Sequence, residues 1–150
     1  MIPYRVEKFT DIIPEFKDII DKHCDEVSLY SKEVAPLDPD WVLYENMDKA
    51  KLLFTYTVRV EQKLIGYYVA VVIRHLHYKQ TLVSDCDVFY LLPEYRKGLV
   101  GYKLISGAEK ELEKMGVKII ILSAKFNKPL EALAKRLGHK PLDLKYFREV

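Results

Sequence analysis

The sequence predicts a mixed α/β (α+β) domain in which a central, mostly antiparallel sheet is flanked by helices. Three features predict it. Residues 53–61, 64–77 and 81–92 are successive runs rich in Val, Thr and aromatic residues, separated by short turns, as in an antiparallel meander. An amphipathic segment follows, with Leu104, Ile105, Ala108 and Leu112 at helical spacing and Gly116 as its stop. Residues 117–122 then form a near-continuous apolar run, as a buried strand does.

In chain order, residues 2–9 read as a first strand. Thr10 is the expected N-cap of a helix whose apolar residues recur at Ile12, Phe16, Ile19 and Ile20, with Pro14 tolerated in its first turn. Residues 35–48 contain Pro36, Pro39 and Asp40 and read as turn-rich, with Trp41 among them. Turns at 61–63 and 78–80 join the meander strands, and Pro93 ends the third. Residues 129–137 predict a short helix with Leu130, Leu133, Ala134 and Leu137 apolar and Gly138 as its stop. The tail, residues 141–150, reads as one or two final strands.

A length of 150 residues, 49% hydrophobic and 31% charged, fits one globular domain over residues 1–150. Such a chain buries about 70% of its unfolded surface and needs no disulfide or metal staple. The longest apolar run, residues 64–73, is far short of the roughly 20 residues that cross a bilayer. The first residues lack the apolar core of a signal peptide, so a cytoplasmic protein is expected, with no membrane partner. Cys24 and Cys86 match no disulfide or metal spacing and read as reduced thiols. Charge is uneven: residues 1–50 carry 6 basic and 12 acidic side chains, the remainder 18 and 10. That asymmetry suggests an anion on the C-terminal part and a cation near the N-terminal part. A nucleic-acid partner is disfavoured by a net charge of only +2.

The chemically informative stretch is residues 90–105. A buried strand runs into Pro93, a basic glycine-containing turn and a helix N-terminus, where unpaired amides and the helix dipole favour an anion. Gly98 and Gly101 let the main chain approach a ligand, and Arg96 and Lys97 add positive charge. The stretch has neither the Walker A pattern nor the dinucleotide fingerprint.

Here the chain resembles the GNAT acyl-CoA N-acyltransferases, whose signature Arg/Gln-x-x-Gly-x-Gly/Ala follows the fourth strand, commonly after Pro-x-Tyr. The chain reads Pro93-Glu94-Tyr95-Arg96-Lys97-Gly98-Leu99-Val100-Gly101, with Leu99 at the usual first glycine. The family's Asn-x-x-Ala-x-x-Leu-Tyr-x-x-x-Gly-Phe matches at Asn127, Leu130, Leu133 and Gly138, with Ala134 at the usual tyrosine and His139 at the usual phenylalanine. Element order agrees over nearly the whole chain, and residues 87–96 look like small phage-encoded members.

The resemblance implies a GNAT-like sheet with splayed fourth and fifth strands and acetyl-CoA as co-substrate in the gap between them. It implies that Leu91 or Leu92 supplies an oxyanion donor. The amides of Lys97, Gly98, Leu99, Val100, Gly101 and Tyr102, with Arg96 and Asn127, are implied around the pyrophosphate and pantetheine. An amine acceptor must lose a proton before attack. Asp85 and Asp87 are two apart and share a strand face, where paired carboxylates are costly unless functional. Asp87 is the favoured base, with Asp85 helping to bind a cationic amine. His75 and His77 share a face as candidate relays, and two histidines are too few for a metal site, so no metal is expected. With Ala134 in place of the acid, Tyr146, Ser123 or water is left to protonate the thiolate. The acceptor side is implied at residues 22–48, where Asp and Glu alternate with Tyr30, Trp41 and Tyr44, a surface suited to a cationic amine.

Acetyl transfer to a small cationic amine or a protein amine is therefore the leading expectation, with a homodimer the assembly the family suggests. An acyl-CoA-binding or protein-interaction module without turnover, and a phage nucleic-acid-modifying relative, are the alternatives.

Overall fold

The computed structural model describes residues 2–126 and 130–150. Five strands form one sheet in the order of the chain: β1 (Tyr4–Val6), β2 (Leu53–Val60), β3 (Lys63–Arg74), β4 (Leu82–Leu91) and β5 (Ile119–Ile121). β1 to β4 pair antiparallel and β5 joins β4 in parallel. The helices are α1 (Phe9–Val27), α2 (Trp41–Lys49), α3 (Val100–Lys114) and α4 (Glu131–Arg136). No described helix is long and apolar enough to cross a membrane.

Neighbouring residues of β3 assign the helices to opposite faces. Tyr67 packs on Phe16 of α1, 4.6 Å between ring centres. Tyr68 pairs across to Tyr56, whose ring backs onto Gly107 of α3. Successive strand residues point to opposite faces, so α1 covers one side and α3 the other. α1 buries Phe9, Ile12, Ile13, Phe16, Ile19 and His23; α3 buries Leu104, Ile105, Ala108 and Leu112. α2 lies on the α1 side, with Tyr44 stacked on Phe9 at 4.6 Å.

Local chemistry explains the connections. β2 and β3 are joined at Glu61 and Gln62, both at positive φ, the turn that matches strand twist. Buried Arg59 ties this hairpin to the start of α1: it donates to Glu7 Oε2 at 2.9 Å and to Glu15 at 2.9 and 2.8 Å. Gly66 is required for the approach of β3 to β4, since a Cβ there would lie 2.8 Å from the Tyr90 carbonyl and 2.9 Å from Leu91 Cδ1.

Several boundaries differ from expectation. β1 is confined to Tyr4–Val6 and α1 begins at Phe9, so Thr10 lies inside the first turn rather than at the cap. Its amide and hydroxyl both donate to Asp48 Oδ2 at 3.0 Å, a carboxylate supplied by α2. The turn-rich segment contains a full helix from Trp41, because Asp40 caps it by accepting from the Leu43 amide at 2.8 Å. β3 ends at Arg74, which leaves His75 and His77 in the hairpin loop. The tail beyond Gly138 forms no strand.

Candidate functional site

The candidate site begins where β4 loses a neighbour. β5 pairs with β4 at Val83, Ser84 and Asp85, and the pairing stops at Asp85↔Ile121. From Cys86 to Leu91, β4 is paired with β3 alone among the described strands. The two strands therefore splay, and the sheet opens a gap beside the second half of β4.

A β-bulge marks the same point. The register passes from Ala70↔Cys86 to Val69↔Val88, so Asp87 is the extra residue. A bulge re-aims side chains and increases twist. Asp87 is exposed, and Tyr44 Oη donates to its Oδ2 at 3.2 Å. The Tyr44 phenol is pushed well above its ordinary pKa, first by burial and then by the Asp87 charge, which keeps it a donor. Asp87 thus faces the α1 and α2 side, beside the acidic and aromatic residues expected to meet an acceptor. Asp85 is half-buried opposite Val71 and Ile121.

Hydrogen-bond polarity along β4 decides which amides face the gap. The Leu92 N–H donates to the Ile65 carbonyl at 2.9 Å. Ile65 and Leu92 are thus a hydrogen-bonded pair, so the adjacent pair Gly66–Leu91 turns its N–H and C=O outward. Leu91, and not Leu92, presents an amide to the gap. The Leu91 carbonyl accepts from Arg96 Nε at 2.8 Å.

Arg96, expected to add positive charge at the turn, has that charge paired. Its guanidinium is engaged by Glu26 at the end of α1, at 2.5 and 2.8 Å, and lies over the Tyr90 ring at 5.0 Å. Tyr90 Oη donates to the same carboxylate at 2.9 Å. Arg96 therefore ties the end of β4 to the end of α1. Behind it, His23 is buried, stacks on Tyr90 at 4.6 Å and lies 2.8 Å from Tyr67 Oη through Nδ1. Burial pushes the His23 pKa down to about 4, so the ring is neutral at pH 7. Burial pushes the Tyr67 phenol up, so both groups are neutral and the imidazole tautomer sets which of them donates.

At the far end of the gap, Gly98 has a φ of +68° and open space around it, and Leu99 has an ordinary φ of −106°. Leucine in place of the usual glycine therefore introduces no backbone strain. The first intrahelical bond of α3 runs from the Lys103 amide to the Leu99 carbonyl at 2.9 Å. The amides of Val100, Gly101 and Tyr102 precede it and have no intrahelical partner. A Cβ at Gly101 would meet only Leu91 Cδ1's companion methyl, Cδ2, at 3.8 Å. Lys97 is exposed beside the turn. Arg136 of α4 lies over the Tyr102 ring at 4.6 Å, bringing a second cation to this flank. An amide-lined turn with two nearby cations fits a pyrophosphate.

Other expected residues lie elsewhere. His77 is exposed in the β3–β4 loop and its amide donates to His75 Nδ1 at 3.1 Å; the loop is at the end of β4 opposite to Leu91, so the structure does not bring it to the gap. Tyr146 is 90% exposed in the tail, with no fold element carrying its ring into the gap. Ser123 is exposed just beyond β5. Asn127 lies outside the described residues. Sequence reasoning missed the structural importance of His23, although its spacing from Phe16 and Ile19 places it on the buried stripe of α1. It also missed the Glu26–Arg96 tie, which joins residues 70 positions apart.

Solved structures share this architecture. A predicted acetyltransferase from Clostridium acetobutylicum, solved with acetyl-CoA, is 15% identical with a TM-score of 0.71, covering 99% of this chain and 96% of that one. The AAC(6')-Iy enzyme in complex with a CoA-S-monomethyl-acetylneamine bisubstrate analogue is 15% identical, TM-score 0.71, over 100% and 99%. Ribosomal-protein-alanine N-acetyltransferase from Brucella melitensis is 15% identical, TM-score 0.68, over 99% and 97%. None of these three supports a special likeness to phage-encoded proteins. No curated protein matches the sequence. Residues 16–139 match the Acetyltransferase (GNAT) family. With the splayed β4 and β5, the amide-lined turn and that match over most of its length, the chain belongs to the GNAT acetyltransferase family.

Proposed function

We propose that the protein transfers an acetyl group from acetyl-CoA to the primary amine of a cationic acceptor, either a small molecule or a protein amine. The observation that carries this reading is a coincidence in space. The gap beside β4, the Asp87 bulge and the α3 N-terminus lie along one strand and its exit, with Tyr44 anchoring Asp87 from the acceptor side. Two solved relatives act on, or were captured with, an amine-bearing acceptor of each kind.

Acetyl-CoA supplies an activated thioester carbonyl, and the amides of Val100, Gly101 and Tyr102 would hold its pyrophosphate while Lys97 and Arg136 lie nearby. Asp87 accepts a proton from the acceptor ammonium, directly or through one water. Tyr44 holds that carboxylate toward the acceptor. The freed amine forms the C–N bond as the C–S bond breaks, and the Leu91 N–H donates to the carbonyl oxygen as charge develops there. The proton that the nitrogen sheds on becoming an amide passes through water to the departing thiolate, since Ala134 has no acidic proton and Tyr146 is turned to solvent. β5 ends the described sheet, and its outer edge is the one through which a second copy would pair.

The test is an acceptor screen with thiol release as readout, comparing wild type with Asp87→Asn. Acetylation of an amine that falls by a factor of about 10² or more in the variant, with acetyl-CoA affinity retained, supports the assignment. Equal rates in both proteins would remove Asp87 from the chemistry.

A further inference from the structure

The C-terminal tail has no regular structure beyond α4, yet its last residues are held by specific bonds. The Ser31 N–H donates to Glu149 Oε1 at 2.6 Å and the Ser31 hydroxyl donates to Glu149 Oε2 at 2.9 Å. One carboxylate thereby satisfies a backbone donor and a side-chain donor of the same residue. Phe147 packs edge-on against Tyr30, 5.4 Å between ring centres at 87°. Lys125, from the segment after β5, lies 5.7 Å over the same Tyr30 ring. Two separate parts of the chain, the tail and the segment after β5, thus converge on the connection between α1 and α2.

That connection leads directly to the gap. Glu26, near the end of α1, holds Tyr90 and Arg96 at the end of β4. On the other side of the connection, α2 carries Tyr44, the partner of Asp87. The tail contacts lie on the α1 side of the sheet, whereas α3, whose N-terminus forms the amide-lined turn, covers the opposite side. Ordering of residues 28–34 therefore bears first on the acceptor wall; its link toward the turn, Glu26–Arg96, does not include the Val100, Gly101 and Tyr102 amides of α3.

We propose that residues 147–149 form a strap that orders the 28–34 loop and sets the affinity for the amine acceptor without altering that for acetyl-CoA. This rests on the acetyl-transfer reading. Glu149 is a positioning residue: it touches Ser31 and acts on the acceptor through the loop. Its carboxylate provides two acceptor oxygens, Gln retains one and Ala none, so the three side chains form a graded series.

The experiment uses the full chain with Glu149→Ala and Glu149→Gln. Steady-state kinetics are run with neamine and with a peptide bearing N-terminal alanine, the two kinds of acceptor named for the solved structures above, and amide hydrogen exchange is measured at Ser31. Glu149→Ala should raise the acceptor KM by about fivefold or more, leave kcat and acetyl-CoA KM within about twofold, and speed Ser31 exchange by about tenfold. Glu149→Gln should fall between it and wild type. An unchanged Ser31 exchange rate in Glu149→Ala overturns the strap, as does an acetyl-CoA KM that rises in step with the acceptor KM. Failure of the wild type to acetylate either probe, with Ser31 exchange still accelerated in the variant, overturns the acceptor role while leaving the strap's contacts intact.

Discussion

The first half of β4, residues 82–85, is held on both edges, by β3 and by β5, and its residues Val83 and Ser84 are buried. The second half, residues 86–91, is held on one edge. The strand is continuous and similar in composition throughout, so the difference does not lie in strand propensity. It lies in the neighbour: β5 is three residues long and stops at Ile121. A bulge then adds Asp87 at the point of release and turns an ordinary sheet position into one that presents a carboxylate. The comparison teaches that the inner half of the strand is scaffold on both edges, while the outer half, freed of one partner, keeps backbone groups that no described strand pairs.

The largest expected effect on this contrast is on the chemistry of the outer half. Asp87→Asn removes the proposed proton acceptor and should lower kcat by about 10²- to 10⁴-fold while the inner half, and so the thermal midpoint, changes little. Thiol-release kinetics with a parallel melting curve check both parts.

The next effect concerns what lies behind the outer half. His23 has a folded-state pKa of about 4 against an unfolded value near 6.5, because burial penalises its charged form. Below pH 6.5 the unfolded chain binds a proton that the folded chain refuses until about pH 4. Stability from this residue is complete above pH 6.5 and is lost as pH falls through that window, reaching roughly 3 kcal/mol. Melting curves from pH 7.5 to 4.5 should show this loss in wild type and a flatter profile in His23→Gln.

A smaller effect is expected from Arg96→Ala, which cuts the tie between Glu26 and the Leu91 carbonyl. The pair is partly exposed, so the cost is about 1.5 kcal/mol in urea unfolding. The change should register as faster amide exchange at Tyr90 and Leu92, the ladder-bonded amides at this end of β4, before residues 82–85 respond. The smallest effect is at Tyr146: its ring is turned to solvent, so Tyr146→Phe should alter kcat by less than about twofold. A large loss there would return the phenol to the reaction.

Much of this was legible because local pattern and tertiary structure agree. The meander, the α3 stripe and the glycine turn follow from alternation, helical spacing and backbone freedom within short windows. What was illegible depends on partners distant in the chain. Alternation continues past Arg74 to His75 and His77, but the ladder ends, so those rings lie in a loop. Leu142, Leu144 and Tyr146 alternate like a strand but have no pairing edge. Prolines 36 and 39 obscured a helix that Asp40 caps immediately after them. The candidate site shows the same division. Gly98 and Gly101 could be placed from spacing, whereas the Asp87 bulge exists only in register with Val69 and Ala70. That Arg96 shares its charge with Glu26, 70 positions away in the chain, is likewise invisible to local spacing.

The most direct test of the released half-strand is calorimetric binding of acetyl-CoA to wild type and to Gly101→Trp. A Cβ at Gly101 meets only Leu91 Cδ2, at 3.8 Å, so the backbone there takes a side chain without strain, and the melting temperature of the variant checks that the indole leaves the protein folded. Micromolar binding by wild type that weakens by about a hundredfold or more in the variant, with the melting temperature retained, is the predicted result. Equal affinity in the two proteins, or no binding by wild type, would contradict the placement of acetyl-CoA along the outer half of β4.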